Sequence, residues 1–215
     1  MENIKLIIFD LDGTLIDAYT AISDSFNYVM RRLGLKTQSA GLIRSLVGWG
    51  DINLLKPYVP KGGLKHALSL YRNHHKHSLL KHAHLYPFVR RLLRSLKLKG
   101  YKLAVASNRP SKFSHILLRH LDIGVFFDYV LCADQSKHGK PHPEMLNKIV
   151  KRFGFKKSQA FYVGDMVIDA QAGRRAKINT VIVTSGSSSK PDIKREQPFR
   201  IISAISRLLE LLKAA

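Results

Sequence analysis

Residues Ile4-Lys5-Leu6-Ile7-Ile8-Phe9 form an apolar run broken only by Lys5, and the run ends abruptly in Asp10-Leu11-Asp12-Gly13-Thr14. Isoleucine-rich and without polar alternation, it suits a strand covered on both faces, as in the middle of a parallel sheet. Two carboxylates at the end of such a strand need a compensating charge, because an ionised group left unpaired near a core is costly. Ligands of open parallel sheets sit beyond the carboxyl ends of the strands, so the pair is expected to meet a metal ion there. Alternate residues of an extended chain face opposite sides, so Asp10 and Asp12 cannot do the same work. One can face the reacting centre while the other, beyond a bend at Gly13, exchanges protons. Taken alone, D-x-D-G also fits a solvated turn, and the rest of the chain decides between the two.

From Tyr86 onward, strands and helices alternate. Strands are expected at Lys102–Ala106, Tyr129–Cys132, Ala160–Val163 and Thr180–Val183. Amphipathic helices fall between them, the first carrying Phe88, Val89, Leu92, Leu93 and Leu96 and stopped by Gly100; Ile201 to Leu212 reads mostly as helix. The stretch from Asp17 to His84 holds no convincing strand. A helix closed by Gly34, a short one from Ser39 to Leu46 and a long polar one after Gly62-Gly63 fill it. The expectation is an α/β fold, a doubly wound parallel sheet built from residues 1–16 and 85–215, with an inserted all-helical cap over 17–84.

Function should therefore be written at the strand ends. Beside Asp10 and Asp12 these offer Ser107-Asn108, Gly164-Asp165 with Asp169 one turn later, and Lys140-Pro141-His142-Pro143-Glu144 between the strands Tyr129–Cys132 and Ala160–Val163. Together they suit phosphoryl transfer. Asp10 and Asp165 can hold Mg²⁺, a hard cation that accepts a few carboxylates and keeps several waters, with Asp169 behind or through water. Ser107 offers a hydroxyl, the Asn108 amide an N–H near a helix start, and Lys140 a point charge for phosphoryl oxygens.

The order Asp10-Leu-Asp12-Gly-Thr14, Ser107, Lys140, then Gly164-Asp165 with Asp169 resembles the four motifs of the haloacid dehalogenase superfamily, over essentially the whole chain. The resemblance implies a Rossmann-like core with the first strand between the second and fourth. It also implies Asp10 as nucleophile through an aspartyl-phosphate, Asp12 as general acid then base, and Mg²⁺ as cofactor. The expected metal set is Asp10, Asp12, Asp165 and Asp169. Thr14, Ser107, Asn108, Arg109 and Lys140 are the expected substrate contacts, joined by Gly48 and Trp49 from the cap. Dehalogenases of the superfamily lack the second aspartate, so Asp12 favours phosphate chemistry. The segments Val105-Ala-Ser-Asn-Arg109-Pro110, Lys140-Pro-His-Pro-Glu144 and Leu46-Val-Gly48-Trp-Gly50 are most similar to the phosphoglycolate phosphatase group. Ala18, Met166 and Lys177 depart from its usual residues. The implied activity is hydrolysis of a small phosphorylated anion such as phosphoglycolate, with pyrophosphate, a nucleotide or a sugar phosphate as other substrates. From a different class comes a basic polyanion- or nucleic-acid-binding protein that keeps the fold as a scaffold.

That last reading comes from 36 Lys and Arg against 15 Asp and Glu, a formal charge of +21. The basic residues are spread along the chain rather than gathered in one arm or helix, so they read as a solvated surface, and no specific nucleic acid is expected. The histidines from His66 to His84 likewise read as a solvated helix face rather than a transition-metal site, and Cys132 as an inert core residue. Trp49 suits either the cap core or a wall over the substrate. A chain opening on a strand, with no apolar run near the ~20 residues of a membrane span, is expected to be cytoplasmic.

Overall fold

A computed structural model describes residues 4–213. In chain order its elements are β1 (Leu6–Phe9), β2 (Ile16–Asp17), α1 (Tyr19–Arg32), α2 (Ala40–Leu46), α3 (Asp51–Leu55), α4 (Leu64–His82), β3 (His84–Leu85), α5 (Val89–Leu98) and β4 (Lys102–Ser107). Then follow α6 (Ser111–His120), β5 (Tyr129–Cys132), α7 (Glu144–Phe153), β6 (Ala160–Gly164), α8 (Val167–Ala176), β7 (Asn179–Val183), α9 (Lys190–Arg195), β8 (Arg200–Ile202) and α10 (Leu208–Lys213). The main sheet of the described residues runs β5-β4-β1-β6-β7-β8, every pair parallel.

The apolar run at the start becomes the middle of this sheet because both of its faces are covered. Leu6 and Ile8 pack with Ala104, Ala106, Tyr162 and the α7 residues Met145, Leu146 and Ile149. Ile7 and Phe9 join the opposite core with Val105, Phe161, Val163 and the α5 residues Leu92, Leu93 and Leu96. All four β1 side chains have no exposed surface, and each contributes roughly 1.5–3 kcal/mol by leaving water. This is the doubly wound α/β architecture expected from the alternation.

Residues 19–82 hold only helices among their regular elements, apart from one short 3₁₀ turn. Ser39 caps α2 by accepting the Leu42 N–H, and after α1 Gly34 takes a left-handed φ of +66° while the Leu35 N–H returns to the Met30 carbonyl at 2.8 Å. A two-residue antiparallel ladder pairs Ile16 with Leu85 and Asp17 with His84, drawing the two ends of the helical stretch together.

Two local expectations fail. Residues 200–202 form β8, paired with Val181–Val183, where a helix from Ile201 was expected. A short apolar run is compatible with either element, and the open edge of β7 decides for strand. Phe88 is not a core residue of α5: it precedes the helix with a left-handed φ of +68° and is 60% exposed.

Candidate active site

β1 delivers Asp10 at its carboxyl end, where the Asp10 N–H donates to the Val163 carbonyl at 2.9 Å. β6 delivers Asp165, and the first turn of α8 delivers Asp169. One oxygen from each of these three carboxylates lies within 4.8 Å of the others. Lys140 enters from the loop before α7, its ammonium 2.7 Å from Asp10 Oδ1 and 2.8 Å from Asp169 Oδ1.

The acids are held differently. Asp169 is saturated: Oδ2 accepts the N–H groups of Asp165 at 3.1 Å and Met166 at 3.0 Å, while Oδ1 accepts the Tyr162 hydroxyl at 2.5 Å as well as Lys140. Asp165 accepts the Thr14 hydroxyl on Oδ1 at 2.9 Å, but its buried Oδ2 has no hydrogen-bond partner. Two glycines make room for that free oxygen. A Cβ on Gly13 would sit 2.2 Å from it, and one on Gly186 would sit 1.8 Å from it. Gly13 also needs its φ of +80°, which side chains with a Cβ disfavour.

With all three carboxylates ionised, as a metal would require, the single ammonium leaves two negative charges for a divalent cation to balance. Burial pushes the Asp10 carboxyl up to about 7 even though Lys140 opposes it, and Asp169 and Asp12 add to the rise. Burial likewise drives Asp165 well above the carboxylate range, with Asp169 and Asp10 adding to it. A buried carboxylate oxygen without a donor, in a group short of positive charge, is the donor set a hard cation such as Mg²⁺ takes.

Asp12 has a different partner. Its carboxylate receives a bidentate fork from Arg109, Nε to Oδ2 at 2.9 Å and Nη2 to Oδ1 at 2.7 Å. The Asp12 side chain thus stands on Arg109, outside the acidic trio; the structure brings three of the four expected metal carboxylates together. The remaining Arg109 nitrogen, Nη1, lies 2.7 Å from His75 Nε2.

Asn108 acts as a staple. Its amide donates to the Gly48 and Lys140 carbonyls at 2.8 and 2.9 Å and accepts the Lys140 N–H at 2.7 Å, so one side chain ties the loop after α2 to the Lys140 loop. A pocket opens where these elements meet. Asp10, Asp12, Ser107 and Lys140 form its polar floor, and Ile22, Val47, Leu54, Tyr71 and Phe113 form apolar walls. Gly48 and Gly50 line it too, whereas Trp49 is 46% exposed and borders a separate groove with Ile52 and Lys112. Thr14 braces Asp165 and is absent from the pocket lining.

The histidine stretch needs correction at two positions, and the first is His74, which is half-buried and stacks on Tyr28 with centroids 4.1 Å apart. His75 is 1% exposed and lines the pocket instead of facing solvent. The signal was available: Ala67, Tyr71, His75 and Leu79 recur every fourth residue on α4, and all four are buried. Tyr162, which orients Asp169, and Arg44, which reaches from α2 to the Ser185 carbonyl at 2.9 Å, were also missed. Nothing local in the sequence singles out either.

Residues 7–183 match the haloacid dehalogenase-like hydrolases. The chain belongs to that family. This hydrolase is 30% identical to a phosphoglycolate phosphatase of Nitrosococcus oceani, with 98% of the chain and 97% of the relative covered. It is 29% identical to a phosphoglycolate phosphatase of Aquifex aeolicus, with 92% and 95% covered. Among solved structures, a predicted phosphoglycolate phosphatase from Haemophilus somnus superposes with a TM-score of 0.92 at 27% identity, covering 98% of this chain and 99% of that one. The enzyme class expected from the motifs, a phosphatase of this family, is the class these curated relatives carry. Among the described residues no helix is long and apolar enough to cross a membrane.

Proposed function

We propose that this hydrolase cleaves a small phosphomonoester with Asp10 as nucleophile and Mg²⁺ as cofactor. The observation that carries the reading is Asp10 itself: a buried carboxylate on the pocket floor, beside Lys140 and within one cluster with Asp165 and Asp169. Asp10 and Asp165 would hold Mg²⁺ directly, while Asp169, already saturated by amides, Tyr162 and Lys140, orients the cluster. When bound, the ion offsets negative charge on the phosphoryl oxygens.

Lys140 neutralises part of the charge at Asp10 and keeps its own proton. Burial alone would lower its ammonium, but Asp10 and Asp169 outweigh this and raise it. Asp10 attacks phosphorus, the ester oxygen leaves, and Asp12, which enters this half protonated, gives that oxygen its proton. Asp12, now ionised, then takes a proton from the water that splits the aspartyl-phosphate and so returns to its starting form. Arg109 holds the Asp12 carboxylate in place through both halves. Ser107 supplies a hydroxyl on the floor of the pocket.

The helical stretch 17–84 serves as the cap that reads the rest of the substrate, since its residues supply most of the apolar wall. A pocket of about 50 Å³ bordered by Leu54, Tyr71 and Phe113 suits a compact anion of the phosphoglycolate kind better than a nucleotide. Three Arg109 N–H groups are committed to Asp12 and His75; a guanidinium has five, so two remain for a substrate carboxylate. The dispersed basic surface speeds capture of such anions and needs no specific nucleic acid.

Phosphate release from phosphoglycolate, pyrophosphate, sugar phosphates and nucleotides, measured with Mg²⁺ and with EDTA, tests the reading. The expected result is Mg²⁺-dependent turnover, fastest on a small monoester and abolished by Asp10→Asn. Undiminished release by that variant would sink the mechanism.

A further inference from the structure

The buried imidazole of His75 stands out because its contact with Arg109 fixes its tautomer. Arg109 Nη1 lies 2.7 Å from His75 Nε2. A guanidinium only donates, so Nε2 must accept and carries no hydrogen. The ring proton of the neutral imidazole then sits on Nδ1, which lies 2.9 Å from Ser25 Oγ. Ser25 in turn donates to the Ala21 carbonyl at 2.8 Å. One line of donors thus runs from Arg109 through His75 and Ser25 to the backbone of α1, and His74 Nδ1 also approaches Ser25 Oγ, at 3.3 Å. Tyr71 stacks on the ring with centroids 4.7 Å apart, and Phe113 of α6 meets it edge-on at 5.2 Å. Desolvation lowers the imidazole well below its usual range and the neighbouring Arg109 lowers it further, in keeping with a neutral ring.

A histidine serving only as packing would have no reason to spend its acceptor on the group clamped to Asp12. We infer that His75 is a positioning residue: from α4 it holds the Arg109 guanidinium in register against Asp12, so that Asp12 is correctly aimed only while α4 is seated on the core. The inference rests on the reading of Asp12 as general acid, and it gives the helical insertion a role in the chemistry beyond covering the pocket. Small displacements of a catalytic group cost up to about 100-fold in rate, so the coupling should be visible in turnover.

The test compares His75→Gln, whose side-chain carbonyl can still accept, with His75→Leu, which cannot. Both are assayed with Mg²⁺ on p-nitrophenyl phosphate, which needs little acid assistance, and on an alkyl phosphate turned over by the parent. His75→Leu should lower kcat on the alkyl ester by about tenfold to 100-fold and lower it far less on the aryl ester, the ratio of the two losses being the readout because His75 also lines the pocket. His75→Gln should recover most of the loss, and His75→Leu should add nothing in an Arg109→Ala background. Equal losses on both esters, a glutamine variant as poor as leucine, or additive effects would overturn the inference. A readout independent of turnover is the ¹⁵N spectrum of the His75 ring in the parent. It should show the Nδ1–H tautomer, and it should change in Arg109→Ala. An Nε2–H tautomer or an imidazolium would refute the contact. A parent with no phosphatase activity would instead sink the functional reading, and the ring spectrum would still decide the contact.

Discussion

Replacing Lys140 by methionine isolates the electrostatics of the site. The Lys140 side chain is 1% exposed, and its ammonium lies 2.7 and 2.8 Å from Asp10 and Asp169. Methionine keeps much of the stem, so the change is chiefly the loss of one charge shared by two buried acids. Removing one partner of a buried ion pair costs about 3–5 kcal/mol. For a chain of this length each kcal/mol moves Tm by about 2–4 °C, so the metal-free variant should melt about 6–20 °C below the parent. The deficit depends on pH. Burial already raises Asp10 to about 7 against the pull of Lys140, and without the ammonium its folded value moves higher. A carboxyl whose pKa is raised on folding keeps its proton only in the folded state. Stability is therefore lost as pH climbs from the unfolded value to the folded one. In the variant that window extends past neutrality, so the gap to the parent should widen above about pH 7. Saturating Mg²⁺ should narrow it, because the ion binds only the folded protein and supplies the missing positive charge. Thermal melts across pH, with EDTA and with Mg²⁺, make the measurement. A variant melting within about 2 °C of the parent at every pH without metal would refute the reasoning.

Asp12→Asn should slow turnover by roughly 10²–10⁴-fold, most for esters with poor leaving groups; equal effects on good and poor leaving groups would show that Asp12 is not the acid. Gly13→Ala must strain a φ of +80° and place a Cβ 2.2 Å from Asp165 Oδ2, so calorimetry should find Mg²⁺ affinity greatly reduced, with a stability loss of at least about 1 kcal/mol. Protons and metal compete for Asp10 and Asp165, both raised by burial, Asp10 to about 7; apparent Mg²⁺ affinity should rise by up to about tenfold per pH unit for each proton displaced. An affinity that stays flat with pH would contradict it. Raising salt should lower kcat/KM moderately through slower encounter, with kcat unchanged, and stopped-time assays at increasing ionic strength would show whether it does.

The placement of several candidate site residues was written locally. Asp10, Asp165 and Lys140 were legible because strands that read as apolar runs place whatever follows them along one edge of a parallel sheet, whatever the details of packing. The alternation after Tyr86 likewise determined the doubly wound core. Partners across the fold were not legible. Asp12 was expected among the metal carboxylates and stands on Arg109, a pairing between residues 97 apart in the chain that only the seating of β4 beside β1 decides. His75 was read with its solvated neighbours because histidine is compatible with either face. The buried stripe of Ala67, Tyr71 and Leu79 placed it inside, and Arg109 gave its nitrogen a partner. The segment 200–202 could be helix or strand until β7 offered it an open edge. Local sequence determined which groups arrive at the strand ends, since backbone periodicity acts over a few residues; tertiary structure decided which of them touch, because a hydrogen bond or ion pair is set by distance in space and not by distance along the chain.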